Sequence, residues 1–465
     1  MLSRVVAQQD MSLDEAIATM LERSYALRSQ QHVVDAAYND MRATRGLRWP
    51  KIDVVGSYTL FQRSVDIELG GAKGVVTTSL ESLIKEGVAN GILSSGVASL
   101  ITQGLTPITS ADWRYTLQKR SFGVIGATVT IPIYAGGRIN IANRVAKDEH
   151  EAARWSLNAT ESHLISELVE RYFGVILARE VVAVRDEVAK AVAQHLADAK
   201  AMEEEGVVAH SVVTYLEYRL AEAVGDLSEA ESRSVVAQRA LNSIVGESGV
   251  NPTDRIFLCN NIQDVDYYRD EAIKLNPLLQ EAKIGEQVAE EGVKLARAAL
   301  LPEVVAMGGG AVYSYQLSDM VPRWMVGLGV NITLFDGLST IRRVQAAKSR
   351  AESVQEMVRN AQDNLMLLID KEYYALVDAL NDASSSERAI EFAKSYYNAI
   401  KEGFIEGITS GAELMDACAE LAASRVEYLN AAYRSCVALV RLLEASGLSN
   451  TFNECRTYGR IIDIE

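Results

Sequence analysis

The chain has 465 residues, with 62 acidic against 46 basic side chains and a net charge of -16, which argues against a nucleic-acid partner because phosphate binding rests on basic patches. Charged residues are 23% and hydrophobic ones 48%, too apolar for disorder, yet no apolar run of about 20 residues suggests a membrane-crossing helix. Its four cysteines and five histidines show no CxxC, HExxH or other ligand spacing, so neither a metal nor a cofactor is expected.

In chain order, "VVAQQ" (Val5 to Gln9) reads either as the small-residue end of a secretory signal, cleaved after Ala7, or as ordinary polar chain. Apolar residues then recur at three and four through segments rich in Ala, Glu, Leu, Arg and Lys. This spacing predicts helices over about 12–46, 138–205, 211–245, 266–299, 338–406 and 412–446. The two longest would each run about 100 Å at 1.5 Å per residue. Cys418 and Cys436 share one helix, about 27 Å apart, and cannot bridge. Cys259 and Cys455 each follow a helical half; a bridge and two free thiols are both open.

Between the helices lie four segments with a strand's alternation, 49–62, 122–135, 301–316 and 324–337. Ile125, Ala127, Val129, Ile131 and Ile133 fall on one side, against Gly126, Thr128 and Thr130. Val326, Leu328, Val330, Ile332 and Leu334 do the same against Gly327, Gly329, Asn331 and Thr333, and Ile52, Val54, Tyr58 and Leu60 repeat the pattern in the first strand. That dyad pattern, with aromatic residues near the strand ends, is that of a membrane barrel strand. The competing reading is a soluble four-stranded sheet packed on a helix. In the third strand, Gly308, Gly309 and Gly310 predict a bulge or kink. They precede a strand, so "GGGA" is no phosphate loop, and neither a P-loop nor a nucleophile motif is present. No enzymatic activity is expected.

The chain repeats once. Pro50 is matched by Pro302, 252 residues on; Tyr172 by Tyr373, Gly206 by Gly407 and Gly246 by Gly447, each 201 on. One duplication accounts for all four, with an insertion of 51 residues in the first half, most of Gln62 to Ser121. The expected layout is a first repeat over 1–246 with its insertion at 62–121, a linker over 247–265, a second repeat over 266–447 and a tail over 448–465. Four strands cannot close a membrane barrel, whose smallest members have about 8, so several copies are required.

With "RWPKID", "PIYAGGR", "LLPEV" and "TLFDGL" in this order around the duplicated helices, the chain resembles the TolC-type outer-membrane efflux proteins, or outer-membrane factors, over roughly Ser12 to Gly447. The resemblance implies a mainly α fold: internally duplicated long helical hairpins plus four strands per chain, a homotrimer forming a 12-stranded outer-membrane β-barrel and a helical tunnel extending into the periplasm. It implies a passive exit duct of a tripartite efflux or type I secretion system, with outer-membrane lipid, a periplasmic adaptor and an inner-membrane pump as partners. The alternative is a soluble or peripheral coiled-coil scaffold without a pore.

On this resemblance, Ile125, Val129, Ile131, Val326, Leu328, Val330 and Ile332 face lipid. Gly206, Val207, Val208, Gly407, Ile408, Thr409 and Ser410 form tips that meet the adaptor. Glu203, Glu204, Glu205, Glu402 and Glu406 cluster near those tips, and symmetry would turn each into a ring favouring cations; solvated helix ends are the plain alternative. Asn398 and Lys401 stand where some family members carry acidic constriction residues, a departure in the gate. The insertion, Gly74 to Leu105 above all, would fall on the extracellular side; its helix-like apolar spacing reads as an amphipathic cap over the mouth or a segment lying on the membrane, with a disordered surface loop as the alternative.

Overall fold

A computed structural model describes residues 9–259 and 261–462. Val5 to Ala7, the possible signal end, lie outside the described residues. In chain order the elements are β1 (Gln9–Met11), α1 (Leu13–Arg23), α2 (Tyr25–Gly46), β2 (Lys51–Leu60), β3 (Val65–Glu68), α3 (Gly70–Ala89), α4 (Ser95–Ser110), β4 (Arg114–Gln118), β5 (Ser121–Ala135), α5 (Arg138–Glu204) and α6 (His210–Val245). There follow β6 (Val250–Pro252), β7 (Phe257–Leu258), α7 (Val265–Leu275), α8 (Pro277–Ala298), β8 (Glu303–Tyr315), β9 (Trp324–Asn331), α9 (Ser339–Ile405), α10 (Gly411–Ser446), α11 (Phe452–Tyr458) and β10 (Arg460–Ile461).

Two compact units result. One runs up to Arg42, then over Ala142–Lys294 and from Arg343 onward; the other is Ala43–Ile141 with Leu295–Arg342. In the first, one line of buried and half-buried positions along the C-terminal half of α9 runs 369, 372, 376, 379, 383, 386, 390, 393, 397, 400 and 404. Their steps of three and four average 3.5, the period of coiled-coil packing rather than of a lone helix at 3.6. Much of α10, an Ala- and Leu-rich helix, is buried against its neighbours, with Leu429, Ala431, Ala432, Val440 and Leu442 inaccessible. A second core ties the far parts of α5, α6, α9 and α10 through Leu196, Ala199, Leu216, Phe404 and Leu414.

Where the short segments cross this unit, Tyr172, Phe173, Phe257 and Phe452 are fully buried. Phe173 meets Phe257 and Phe257 meets Phe452 edge-on at 5.8 Å, an arrangement that aromatic quadrupoles favour. β1 pairs in parallel with β6, and β7 antiparallel with β10.

The structure corrects the sequence expectation at four places. The helices expected over 12–46 and 266–299 are each broken, at Ser24 and Asn276, 252 residues apart as the duplication requires. Both side chains cap the next helix: Ser24 Oγ accepts from Leu27 N at 3.2 Å and Asn276 Oδ1 from Leu279 N at 2.9 Å, while Pro277 offers no N–H to continue the helix before it. The strand expected over 324–337 ends at Asn331, opposite Glu303. Pro302 precedes Glu303 and brings no donor, so Ile332, Leu334 and Phe335 lie beyond the ladder. The glycines of β8 pair regularly, Gly308 with Val129 and Gly310 with Ala127; the bulge falls after them, at Val312.

The insertion forms a small antiparallel ladder, β3 with β4, carrying α3 and α4 between its strands. Neither helix buries a residue.

Candidate functional site

The four long strands make one antiparallel sheet in the order β2-β5-β8-β9. Register brings the apolar sides together. Ile52, Val129, Gly308 and Val326 stand in one row, Val54, Ala127, Gly310 and Trp324 in the next, and Ile131, Ala306 and Leu328 on the other flank. Directly opposite residues share a face, so every strand contributes its apolar set to the same side. The reverse side carries Asp53, Thr128, Gly309 and Met325 in one row and Lys51, Thr130, Met307 and Gly327 in another.

Two bulges then place aromatic residues on that apolar side. Ile133 is the extra residue between Pro132 and Tyr134, so Tyr134 pairs with Val304, in the row of Val330. Val312 is the extra residue on β8, so Tyr313 pairs with Ile125, and Gly123 lies between Tyr58 and Tyr315. A Cβ at Gly123 would stand 3.3 Å from the Tyr58 ring and 3.9 Å from Tyr315 Cβ, so the glycine leaves room for both rings. A single extra residue reverses which face the following side chains take. One bulge at each end of the sheet thus closes the aliphatic field with tyrosine.

Val326 is 74% exposed and Leu328 73%. A sheet packed on a helix would bury them, so that reading fails. The backbone edges of β2 and β9 are the two ends of the sheet order.

The other candidate site is the pair of hairpin tips. Gly206 (φ 74°) and Gly407 (φ 78°) take the left-handed conformation that glycine tolerates. Their hydrogen bonds repeat: Gly206 N donates to Glu203 O and Val207 N to Met202 O, as Gly407 N does to Phe404 O and Ile408 N to Gly403 O. This 6→1 bond to a carbonyl before the glycine is the Schellman closure of a helix. The tips touch, since a Cβ on Gly407 would lie 3.7 Å from Val207 Cγ1. Val207 (59%) and Ile408 (75%) are exposed; Val208 and Thr409 are half-buried and Ser410 exposed. Ser410 caps α10 in a capping box with Glu413, whose backbone and side-chain bonds from Ser410 hold the Glu413 carboxyl below its usual range.

Glu204, Glu205, Glu402, Glu406 and Asn398 are exposed, and Lys401 is half-buried. Glu203 is paired, 2.8 Å from His210 Nδ1. Sequence reasoning missed a polar contact just behind the tips. His195, 2% exposed, has Nε2 at 2.8 Å from Tyr397 Oη; burial and then the Lys401 charge push its imidazole below the ordinary value. Two residues from separate repeats with unlike side chains leave no sequence signal that pairs them.

Among the described residues no helix is long and apolar enough to cross a membrane, and no group of acidic, His and Cys side chains could hold a metal. The architecture, a duplicated helical chain whose four-stranded sheet exposes an apolar face, is that of a membrane-channel subunit rather than of a sheet packed in a soluble core. Residues 16–247 and 268–448 match the outer membrane efflux protein family, and the chain belongs to it. The chain is 23% identical over 355 residues to the outer membrane efflux protein BepC of Brucella suis, covering 74% of this chain and 75% of that one. Its fold superposes on a membrane protein from Pseudomonas aeruginosa with a TM-score of 0.75 at 15% identity, covering 95% and 91% of the two chains. The CmeC outer membrane channel of Campylobacter jejuni gives 0.73 at 15% identity over 96% and 89%. The protein is therefore an outer-membrane exit duct of an efflux system, extending into the periplasm. It is a channel and not an enzyme or a pore-less scaffold.

Proposed function

We propose that the chain works as a homotrimer, in which β9 of one copy pairs with β2 of the next to close a 12-stranded barrel around the exit path. The observation that carries this reading is the sheet with one continuous apolar face and two unpaired edges, because open edges are not tolerated in hydrocarbon. The apolar face, with Ile125, Val129, Ile131, Val326, Leu328 and Val330, meets lipid; Ile332 continues it just past the ladder. From Val304 to Tyr313 the strand spans about 30 Å at 3.4 Å per residue, which a tilt of about 40° reduces to about 23 Å, close to the roughly 25 Å apolar band of such barrels. The tyrosines beyond the two bulges then fall at the two interfaces.

The tips are the docking ends for a periplasmic adaptor, which joins the duct to an inner-membrane pump. Val207 and Ile408 occupy equivalent exposed positions in the two repeats, so one adaptor element recurring around the ring meets a near-repeating surface of Gly206, Val208, Gly407, Thr409 and Ser410. Near these tips Glu204, Glu205, Glu402 and Glu406, with Glu203 held by His210, form carboxylate rings under symmetry and favour cations. Asn398 and Lys401 replace an acidic constriction. Planar-bilayer conductance tests this: small cation-selective steps that lose selectivity when the five glutamates become glutamine support it. Steps with unchanged selectivity overturn the acidic gate, and no steps from protein that dissolves without detergent overturn the duct.

A further inference from the structure

Cys259 and Cys455 are 196 positions apart in sequence and meet in the fold. Cys259 follows β7, Cys455 sits in α11, and the strand after α11 returns to β7, pairing Arg460 with Leu258 and Ile461 with Phe257. The return is tight: a Cβ on Gly459 would stand 2.5 Å from the Phe257 ring and 3.1 Å from Cys455 O. Turn and ladder together hold the two cysteines side by side, on the wall of a cavity of about 240 Å³ that Tyr267, Tyr268 and Tyr458 also line. The two side chains are close enough to shift each other's titration, and Cys259 Sγ lies 3.9 Å from Asn261 O.

The other two cysteines differ. Cys418 and Cys436 are buried on α10, and the Cys436 thiol is committed to Phe257 O at 3.3 Å. Burial pushes Cys436 up to about 12, which makes it a poor nucleophile. The neighbouring Cys455 instead pulls Cys259 below the ordinary thiol range and is itself pushed up by Cys259.

We propose that Cys259 and Cys455 form a disulfide, made during passage through the periplasm by exchange with an oxidised dithiol protein. An outer-membrane destination takes the chain through that oxidising compartment. Cys455, half-buried where Cys259 is 5% exposed, is the sulfur the oxidant reaches; it gives its proton to solvent and attacks as the thiolate, its Sγ bonding to one sulfur of the oxidant while the other leaves as a thiolate. The Cys259 thiolate then attacks Cys455 Sγ, the mixed disulfide breaks, and the second sulfur of the oxidant leaves. The protein loses two electrons, the oxidant gains them and becomes a dithiol, and the protons end on the oxidant and solvent. The product ties α11 to the segment after β7 and closes a long loop, the case in which a cross-link restricts the unfolded chain most.

Protein purified from the outer membrane is unfolded with an alkylating agent present, with and without reductant, and its peptides are weighed. The expected result is that without reductant Cys418 and Cys436 are alkylated while Cys259 and Cys455 appear only as one linked peptide, which reductant separates. In the C455S variant, Cys259 becomes alkylatable without reductant. Alkylation of all four cysteines without reductant overturns the proposal. So does a Cys259 that stays blocked in C455S, or a link joining copies of the chain.

Discussion

The hydroxyl of Tyr172, at the middle of α5, lies 2.8 Å from Asp254 Oδ2 in the segment that joins the two repeats. It also lies 2.8 Å from Met11 O and accepts from the backbone N–H groups of Thr253 and Asp254 at 3.1 and 3.3 Å. Asp254 in turn accepts from Leu13 N at 2.7 Å and from Arg456 Nη1 at 3.1 Å. One buried phenol thus organises the N-terminal strand, the linker and the C-terminal helix, and burial raises its pKa above the usual phenolic range. Tyr172→Phe keeps the ring and leaves those donors unmet, so we expect a loss of about 1–3 kcal/mol in unfolding free energy. Denaturant titration in detergent reads it, with an unchanged m-value as the sign that only stability moved.

The His195 contact makes the tips sensitive to acid. Its pKa is lowered in the fold from the ordinary 6.5, by burial first and by Lys401 second, with Asp198 opposing. Below that ordinary value the unfolded chain takes up the proton more readily than the folded one, so stability is complete above it and falls as pH drops through the window beneath it. Protection factors of amides in 190–216 and 393–415, with the intrinsic pH dependence of exchange divided out, should fall as pH drops below the ordinary 6.5, and His195→Gln should remove most of that dependence.

The matching turns before the two long helices differ at one position. Gly136 and Gly137 take φ of 60° and 83°, while Gly337 and Leu338, their counterparts, take 68° and 69°. A bulky residue there is strained by about 1–2 kcal/mol, and Leu338 is 51% exposed, so its side chain gives little back. Leu338→Gly is expected to be neutral or to stabilise by up to about 1 kcal/mol, the lost strain being partly offset by a freer unfolded chain. Gly137→Leu should destabilise. Thermal unfolding of the two variants side by side checks the sign.

Charge on the two faces of the sheet should be tolerated unequally. Leu328→Arg puts a cation on the face assigned to lipid and should cost about 2–4 kcal/mol near the bilayer midplane; Thr128→Arg, on the reverse face with Asp53 and Gly309, should assemble. The amount of heat-resistant oligomer in outer-membrane fractions reports both.

Much of this was legible from repeated residues whose physics is local. Gly206 and Gly407 mark turns because they need positive φ, and Pro50 and Pro302 mark where ladders begin. The break at Ser24 was hidden because the apolar spacing runs through it and only the cap distinguishes a joint from a continuous helix, whereas Pro277 marks the matching break after Asn276 in the sequence itself. Ile332 to Phe335 alternate as a strand does, but a strand exists only where a partner does, and Glu303 is the last partner. The bulges at Ile133 and Val312 arise from pairing between strands far apart in sequence. Alternation within one strand therefore could not show that Tyr134, Tyr313 and Tyr315 change sides.

The account turns on several copies closing one barrel. Native mass spectrometry of the detergent-extracted protein measures this directly, and the predicted species has about 152 kDa, three chains of 50.8 kDa, as cyclic symmetry requires. A folded single chain that keeps its strands in detergent or in water would contradict it.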